Sequence, residues 1–153
     1  MPKFDTKLIG THLPPFAAVA DADTLRAFAH ATGQTDPVYF DQQAARAAGH
    51  RDLAMPPTFL FCLEMTGAPD PMAPFNAVDA DYGRTLHGEQ HFTYHRLAYA
   101  GETLRFAPRI TDIYERKAGA LRFFVWETKV EDESGSPVAD LRSVMVVVRE
   151  DAP

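Results

Sequence analysis

The stretch "MPPTFLFCLEMTG", Met55 to Gly67, decides how this chain folds. Two prolines open it, where a missing N–H costs a helix nothing, and a glycine closes it. Between the prolines and the glycine only Thr58, Glu64 and Thr66 are polar. The pattern predicts a helix over about residues 57–66, apolar nearly all round and therefore buried. A helix of that kind needs other elements to surround it, and the rest of the sequence supplies them.

Toward the N-terminus, residues 1–20 carry "LPP" at 13–15 and read as irregular. Asp21 is placed to cap a helix whose apolar positions Leu25, Phe28 and Ala29 recur at i, i+3 and i+4, and Gly33 to end it. Asp36-Pro37 is a turn or extended dipeptide, because proline disfavours α geometry in the residue before it. Asp41 is placed to cap a second helix running through Ala48, closed by Gly49. Residues 67–85 hold three prolines and two glycines without a period and read as a long surface loop.

Toward the C-terminus the period changes. Strand-like runs occupy 86–99, 102–116, 118–132 and 137–150, separated by "AG" at 100–101, "KAG" at 117–119 and "ESGS" at 133–136. The run Val144–Val148 is β-branched apart from Met145, which predicts an interior strand. Helices followed by a meander of long antiparallel strands is an α+β pattern, with the sheet wrapped around the central helix.

Composition narrows the function. The 153 residues suit one domain, spanning 1–153, with one core. A net charge of −6 argues against nucleic acid as a partner. No run of 18 apolar residues is present, so no membrane-spanning helix is predicted, and the first ten residues lack the apolar core of a signal peptide. The single cysteine, Cys62, excludes an internal disulfide and a Cys-based zinc site, and reads as an inert buried thiol. These features predict a cytoplasmic protein. His87, His91 and His95 alternate at i, i+4 and i+8 and are predicted to share one strand face, ~13 Å apart, too far for one metal ion. Arg96 and Arg105 read either as phosphate contacts or as ordinary strand-surface charges.

Three separated motifs occur in order: "ATGQTDPVYFDQQAARAAGH" at 31–50, "PPTF" at 56–59 and "LHGEQHFTYHRLAYAGETL" at 86–104. Together they resemble the MaoC-like dehydratase superfamily, in the branch related to the N-terminal dehydratase domain of fungal-type fatty acid synthase. The resemblance runs from "IGTHLPPF" at 9–16 to the final strand. It implies a hot-dog fold, a long antiparallel sheet around the helix at 57–66. It implies pairing at a sheet edge, as a homodimer or as a heterodimer with another hot-dog subunit. The implied substrate is an acyl thioester of coenzyme A or acyl carrier protein, and the reaction is addition of water to a trans-2-enoyl thioester or its reverse. No cofactor or metal is implied.

That reaction needs a base to activate water, an acid to protonate the α-carbon, and N–H groups to polarise the thioester carbonyl. The family's pattern places an Asp and a His in Asp-x-Asn-Pro-x-His. Here the stretch reads Gln34-Thr35-Asp36-Pro37-Val38-Tyr39. Gln34 stands for the Asp, Asp36 for the Asn and Tyr39 for the His, so both proton-handling groups are exchanged. A displaced pair of Asp36 with Tyr39 or His50 is one reading, and Asp36 as a turn cap is the other. The helix start at Pro57, Thr58 and Phe59 leaves N–H groups without intrahelical partners, which a thioester carbonyl can use, or which Thr58 can cap. His87 and Gly88 fall on the strand that the resemblance places near the substrate channel. Three functions remain open: a hydratase or dehydratase with an altered loop, a non-catalytic subunit that binds the acyl chain beside a catalytic partner, and a thioesterase relying on Asp36, with Glu64 too deep in the helix to help.

Overall fold

The computed structural model describes residues 4–149. Five strands form one antiparallel sheet: β1 (Phe16–Val19), β2 (Thr85–Tyr94), β3 (Thr103–Arg116), β4 (Leu121–Asp132) and β5 (Pro137–Val148), in the order β1-β3-β4-β5-β2. The helices are α1 (Ala22–Ala31), α2 (Gln42–Ala47), α3 (Phe59–Gly67) and α4 (Ala73–Ala77). The last two lie over the sheet. This is the α+β hot-dog arrangement, with α3 as its central helix.

Local chemistry sets the helix ends. Asp21 accepts from Thr24 N–H at 2.9 Å and starts α1. Asp41 accepts from Ala44 N–H at 2.8 Å and starts α2. Gly67 does more than end α3. A Cβ added there would lie 2.5 Å from Ala18 Cβ, so its bare Cα is what lets α3 approach β1 this closely.

One core lies under α3, where Phe59, Leu60 and Leu63 meet Leu104, Phe106 and Leu141. A second lies under α4, where Phe75 and Val78 meet Ile110, Phe124 and Trp126. The sheet is longer than α3, so α4 covers the half that α3 does not reach.

Four sequence expectations change. Phe16–Val19, inside the segment read as irregular, is an edge strand paired with β3. The segment 67–85 is not merely a loop, because it contains α4 and a 3-10 turn at Tyr82–Arg84, with Pro74, Phe75 and Val78 buried. The strands are not a simple meander either: β2 pairs with β5, and residues 95–102 cross to the far side of the sheet. Met55 N–H donates to Ala98 O and Ala100 N–H to Leu53 O along that crossover. Alternation identifies a strand but not its neighbour, which is why "AG" at 100–101 misled. Finally, the ladder shifts register between His87 and Glu89, so His87 packs on Phe61 of α3 with ring centroids 5.0 Å apart, while His91 bonds Glu89 at 2.9 Å. His87 and His91 therefore do not share a face: a bulge reverses the parity on which that expectation rested. Val144–Val148 does belong to an interior strand, β5.

Candidate functional site

The start of α3 borders a cavity of about 170 Å³ whose wall includes Tyr39, Pro57, Leu60, Tyr94 and Arg96. Each is held there by its own element. Tyr39 sits in a 3-10 turn at Pro37–Tyr39. That turn is pinned by Ala54 N–H donating to Val38 O at 3.3 Å and by Arg26 Nε donating to Phe40 O at 2.8 Å. Tyr94 ends β2 on the face that also carries Phe92, and their rings stack at 5.9 Å. Arg96 opens the crossover and is fastened to Glu102, to Asp132 at 2.9 Å and to Leu97 O at 2.8 Å. Its charge is thereby compensated within the chain, and Glu102 holds its pKa above the ordinary arginine value. Arg105 is exposed on β3.

The helix start is not open. Thr58 adopts φ +72°, a left-handed conformation rare for a β-branched residue, and its side chain makes no cap. Its N–H donates to Tyr94 Oη at 3.0 Å, and Phe59 N–H donates to Pro56 O at 3.2 Å. The amides expected to meet a thioester carbonyl are therefore already engaged. Burial pushes the Tyr94 phenol above its ordinary pKa, and the Thr58 amide offsets part of that. Tyr94 thus stays protonated near neutral pH: it accepts from Thr58 and retains its own O–H to donate.

The other sequence candidates are dispersed. Gln34 is half-buried and its N–H closes α1 on Ala29 O at 2.9 Å. Asp36 is exposed and accepts from Val38 N–H at 3.1 Å, the turn-capping arrangement. His50 Nδ1 lies 3.3 Å from Tyr99 Oη, on the crossover. His87 Nε2 lies 3.2 Å from Gln90 Oε1. Gly88 occupies the bulge, where a Cβ would meet Val146 Cγ2 at 3.0 Å. Of the proposed residues, Tyr39 and Pro57 line the α3-start cavity, and Thr58 touches it through Tyr94. No carboxylate or imidazole among the described residues lines it.

Sequence reasoning missed Tyr94, although Phe92 and Tyr94 stand at i and i+2 and so share one strand face. It also set Glu64 aside. Glu64 is 5% exposed and its Oε1 accepts from Thr128 Oγ1 and, at 3.4 Å, from Trp126 Nε1. Burial pushes its carboxyl above the usual carboxylate range, against those two hydrogen bonds. Cys62 is half-buried and its thiol is likewise pushed up by burial.

Comparison with known proteins agrees with this fold. The family described as FAS1-like, dehydratase domain region, matches residues 7–141. A UPF0336 protein of Saccharopolyspora erythraea is 34% identical over 143 residues, covering 93% of this chain and 90% of its own. Among solved structures, the C-terminally truncated HadBC (3R-hydroxyacyl-ACP dehydratase) complex of Mycobacterium tuberculosis superposes with a TM-score of 0.78 at 22% identity, covering 91% of this chain and 96% of that one. The ChsH1-ChsH2 complex of the same organism gives 0.73 at 22%, covering 90% and 89%. At that identity the structural likeness speaks for the fold.

Proposed function

Because this chain belongs to the FAS1-like dehydratase-region family of MaoC-like hot-dog proteins, we propose that it is the acyl-holding subunit of a two-subunit enoyl-thioester hydratase or 3-hydroxyacyl-thioester dehydratase. Its ligand is an acyl chain on coenzyme A or acyl carrier protein. The observation that carries this reading is the α3-start cavity, which presents two phenols, the ion-paired Arg96 and apolar side chains but neither the Asp nor the His that moves protons in this reaction. A phenol titrates at about 10, and burial moves Tyr94 further from use as a base. What Tyr94 offers is a neutral O–H from which a thioester carbonyl can accept, while Met55, Leu60 and Ala98 supply an apolar wall for the chain. The Asp and His that act on water would come from a companion hot-dog subunit. The HadBC and ChsH1-ChsH2 structures are complexes of two named components, which supports the heteromeric reading.

The test is direct. The purified chain is mixed with crotonyl-CoA and longer enoyl-CoA thioesters, alone and after co-expression with a hot-dog protein encoded beside it. The expected result is saturable acyl-CoA binding by the chain alone, with loss of enoyl absorbance only in the pair. Hydration by the chain alone, abolished in Asp36→Ala, overturns the reading in favour of a relocated base. Release of free thiol overturns it in favour of a thioesterase.

A further inference from the structure

The cavity at the opposite end of α3, where α3 and α4 meet, has a different chemistry. Its volume is about 200 Å³ and its wall is almost wholly apolar, built from residues such as Leu13, Phe16, Met65, Pro74 and Trp126. It shares no lining residue with the α3-start cavity. Within that wall stands one buried carboxyl group, Glu64, 5% exposed. Its Oε1 already receives two donors, Thr128 Oγ1–H and Trp126 Nε1–H. Its Oε2 is buried without a hydrogen-bond partner among the described residues.

A carboxylate left with a bare buried oxygen in an apolar wall is costly, whereas a neutral acid is tolerated if its hydroxyl finds an acceptor. With Oε1 occupied by two donors, the acid proton belongs on Oε2. That makes Oε2–H a donor without an acceptor, beside a cavity large enough for a small ring: a dry 150 Å³ engineered cavity takes benzene. The wall's other carboxylate, Asp70, is exposed and accepts from Met72 N–H at 2.9 Å and from Asn76 Nδ2 at 3.5 Å. An anionic ligand would meet that charge and be poorly solvated, and the neutral Glu64 acid offers an ammonium group no counter-charge.

We infer that the α3–α4 cavity is a binding site for a neutral apolar group of about seven heavy atoms that presents one carbonyl or hydroxyl oxygen to Glu64 Oε2–H. The group comes either from a free small molecule or from the oxygenated tail of an acyl chain.

Trp126 is the chain's single tryptophan, so one indole N–H resonance reports on this site. The ¹⁵N-labelled chain is titrated with cyclohexanone and with methylcyclohexane, equal in heavy atoms but only the first with an acceptor. Cyclohexanone is expected to shift the Trp126 resonance saturably and to bind at least tenfold more tightly than methylcyclohexane. Glu64→Gln, which keeps a donor, should bind cyclohexanone within a few-fold of wild type, and Glu64→Leu at least tenfold more weakly. The wild-type comparison of the two probes stands even if Glu64→Leu does not fold. No saturable shift, which would mean that the cavity holds water only, overturns the inference. So does equal binding of the two probes, or undiminished binding by a folded Glu64→Leu. Competition by an acyl-CoA bearing a ketone far along its chain, and not by its unoxidised counterpart, assigns the site to an acyl tail. Absence of that competition assigns it to a free ligand. Neither titration probe is a thioester, so failure here is separable from failure of the acyl-subunit reading.

Discussion

Glu64 is the residue at which the sequence departs furthest from a plain buried helix, and its position fixes a pH dependence. Its folded pKa is raised above the ordinary 4.5 because burial disfavours the charged form. Below that ordinary value the carboxyl is protonated in both states and its contribution to stability is whole. As pH rises, the unfolded chain releases the proton first, so stability falls until the folded pKa is passed. Wild type should therefore lose thermal stability as pH rises above 4.5 relative to Glu64→Gln, whose curve lacks this component. Calorimetry at matched ionic strength checks it, and parallel curves would remove the buried neutral acid. Tyr94 carries a second prediction at this scale. Tyr94→Phe takes the acceptor from Thr58 N–H but leaves the ring stacked on Phe92. Because Thr58 is exposed, water can replace the lost partner, so the cost should be about 1 kcal/mol in urea unfolding. A change of ~3 kcal/mol or more would mean that the phenol organises the whole helix start.

The elements show which parts of the fold were legible in the sequence. Caps and periodicity are local, and Asp21, Asp41 and the 55–67 stretch announced α1, α2 and α3 within a few residues. Strand pairing is not local. The partners β2 and β5 lie some fifty residues apart, and nothing in either run names the other. The bulge at Gly88 is equally silent, yet it decides which histidine meets α3. In the candidate site, Tyr39 could be placed because its turn is written in Asp36-Pro37, whereas Tyr94 depended on the parity of β2. α4 was hidden by prolines that usually mark loops, although Pro74 stands in its first turn, where proline is accepted. Its role in covering the sheet can be measured. Phe75 is 4% exposed and packs edge-on against Phe124 at 5.5 Å and Trp126 at 6.0 Å. Phe75→Ala should cost about 3–5 kcal/mol and alter Trp126 fluorescence. Gly67→Ala should cost about 1–3 kcal/mol by overpacking, because its Cβ would press on Ala18 of β1 rather than on a flexible side-chain tip. A neutral Gly67→Ala in chemical denaturation would show that α3 can back away from the strand.

At the scale of the whole molecule, the two sheet edges are unequal. β1 is only four residues long, a short edge that offers little to an incoming strand. β2 is ten residues long, pairs with β5 on one side alone, and leaves Leu86 62% and Tyr94 44% exposed. A long, partly apolar edge of this kind is a hazard in isolation and an interface when covered. It also ends at Tyr94, so whatever pairs along β2 arrives beside the α3-start cavity, which is where a subunit lacking its own base would need a neighbour's. The prediction is that the chain assembles through β2, with a second copy or with a companion hot-dog subunit. In that assembly the β2 amides not bonded to β5 should exchange with solvent far more slowly than those of a free edge. Leu86→Lys should weaken the assembly at least tenfold in sedimentation, because it buries a charge at the junction, and should leave Trp126 fluorescence as it was. Rapid exchange of those amides within an intact assembly would place the interface elsewhere. The catalytic groups of a partner would then have no route to Tyr94 along this edge.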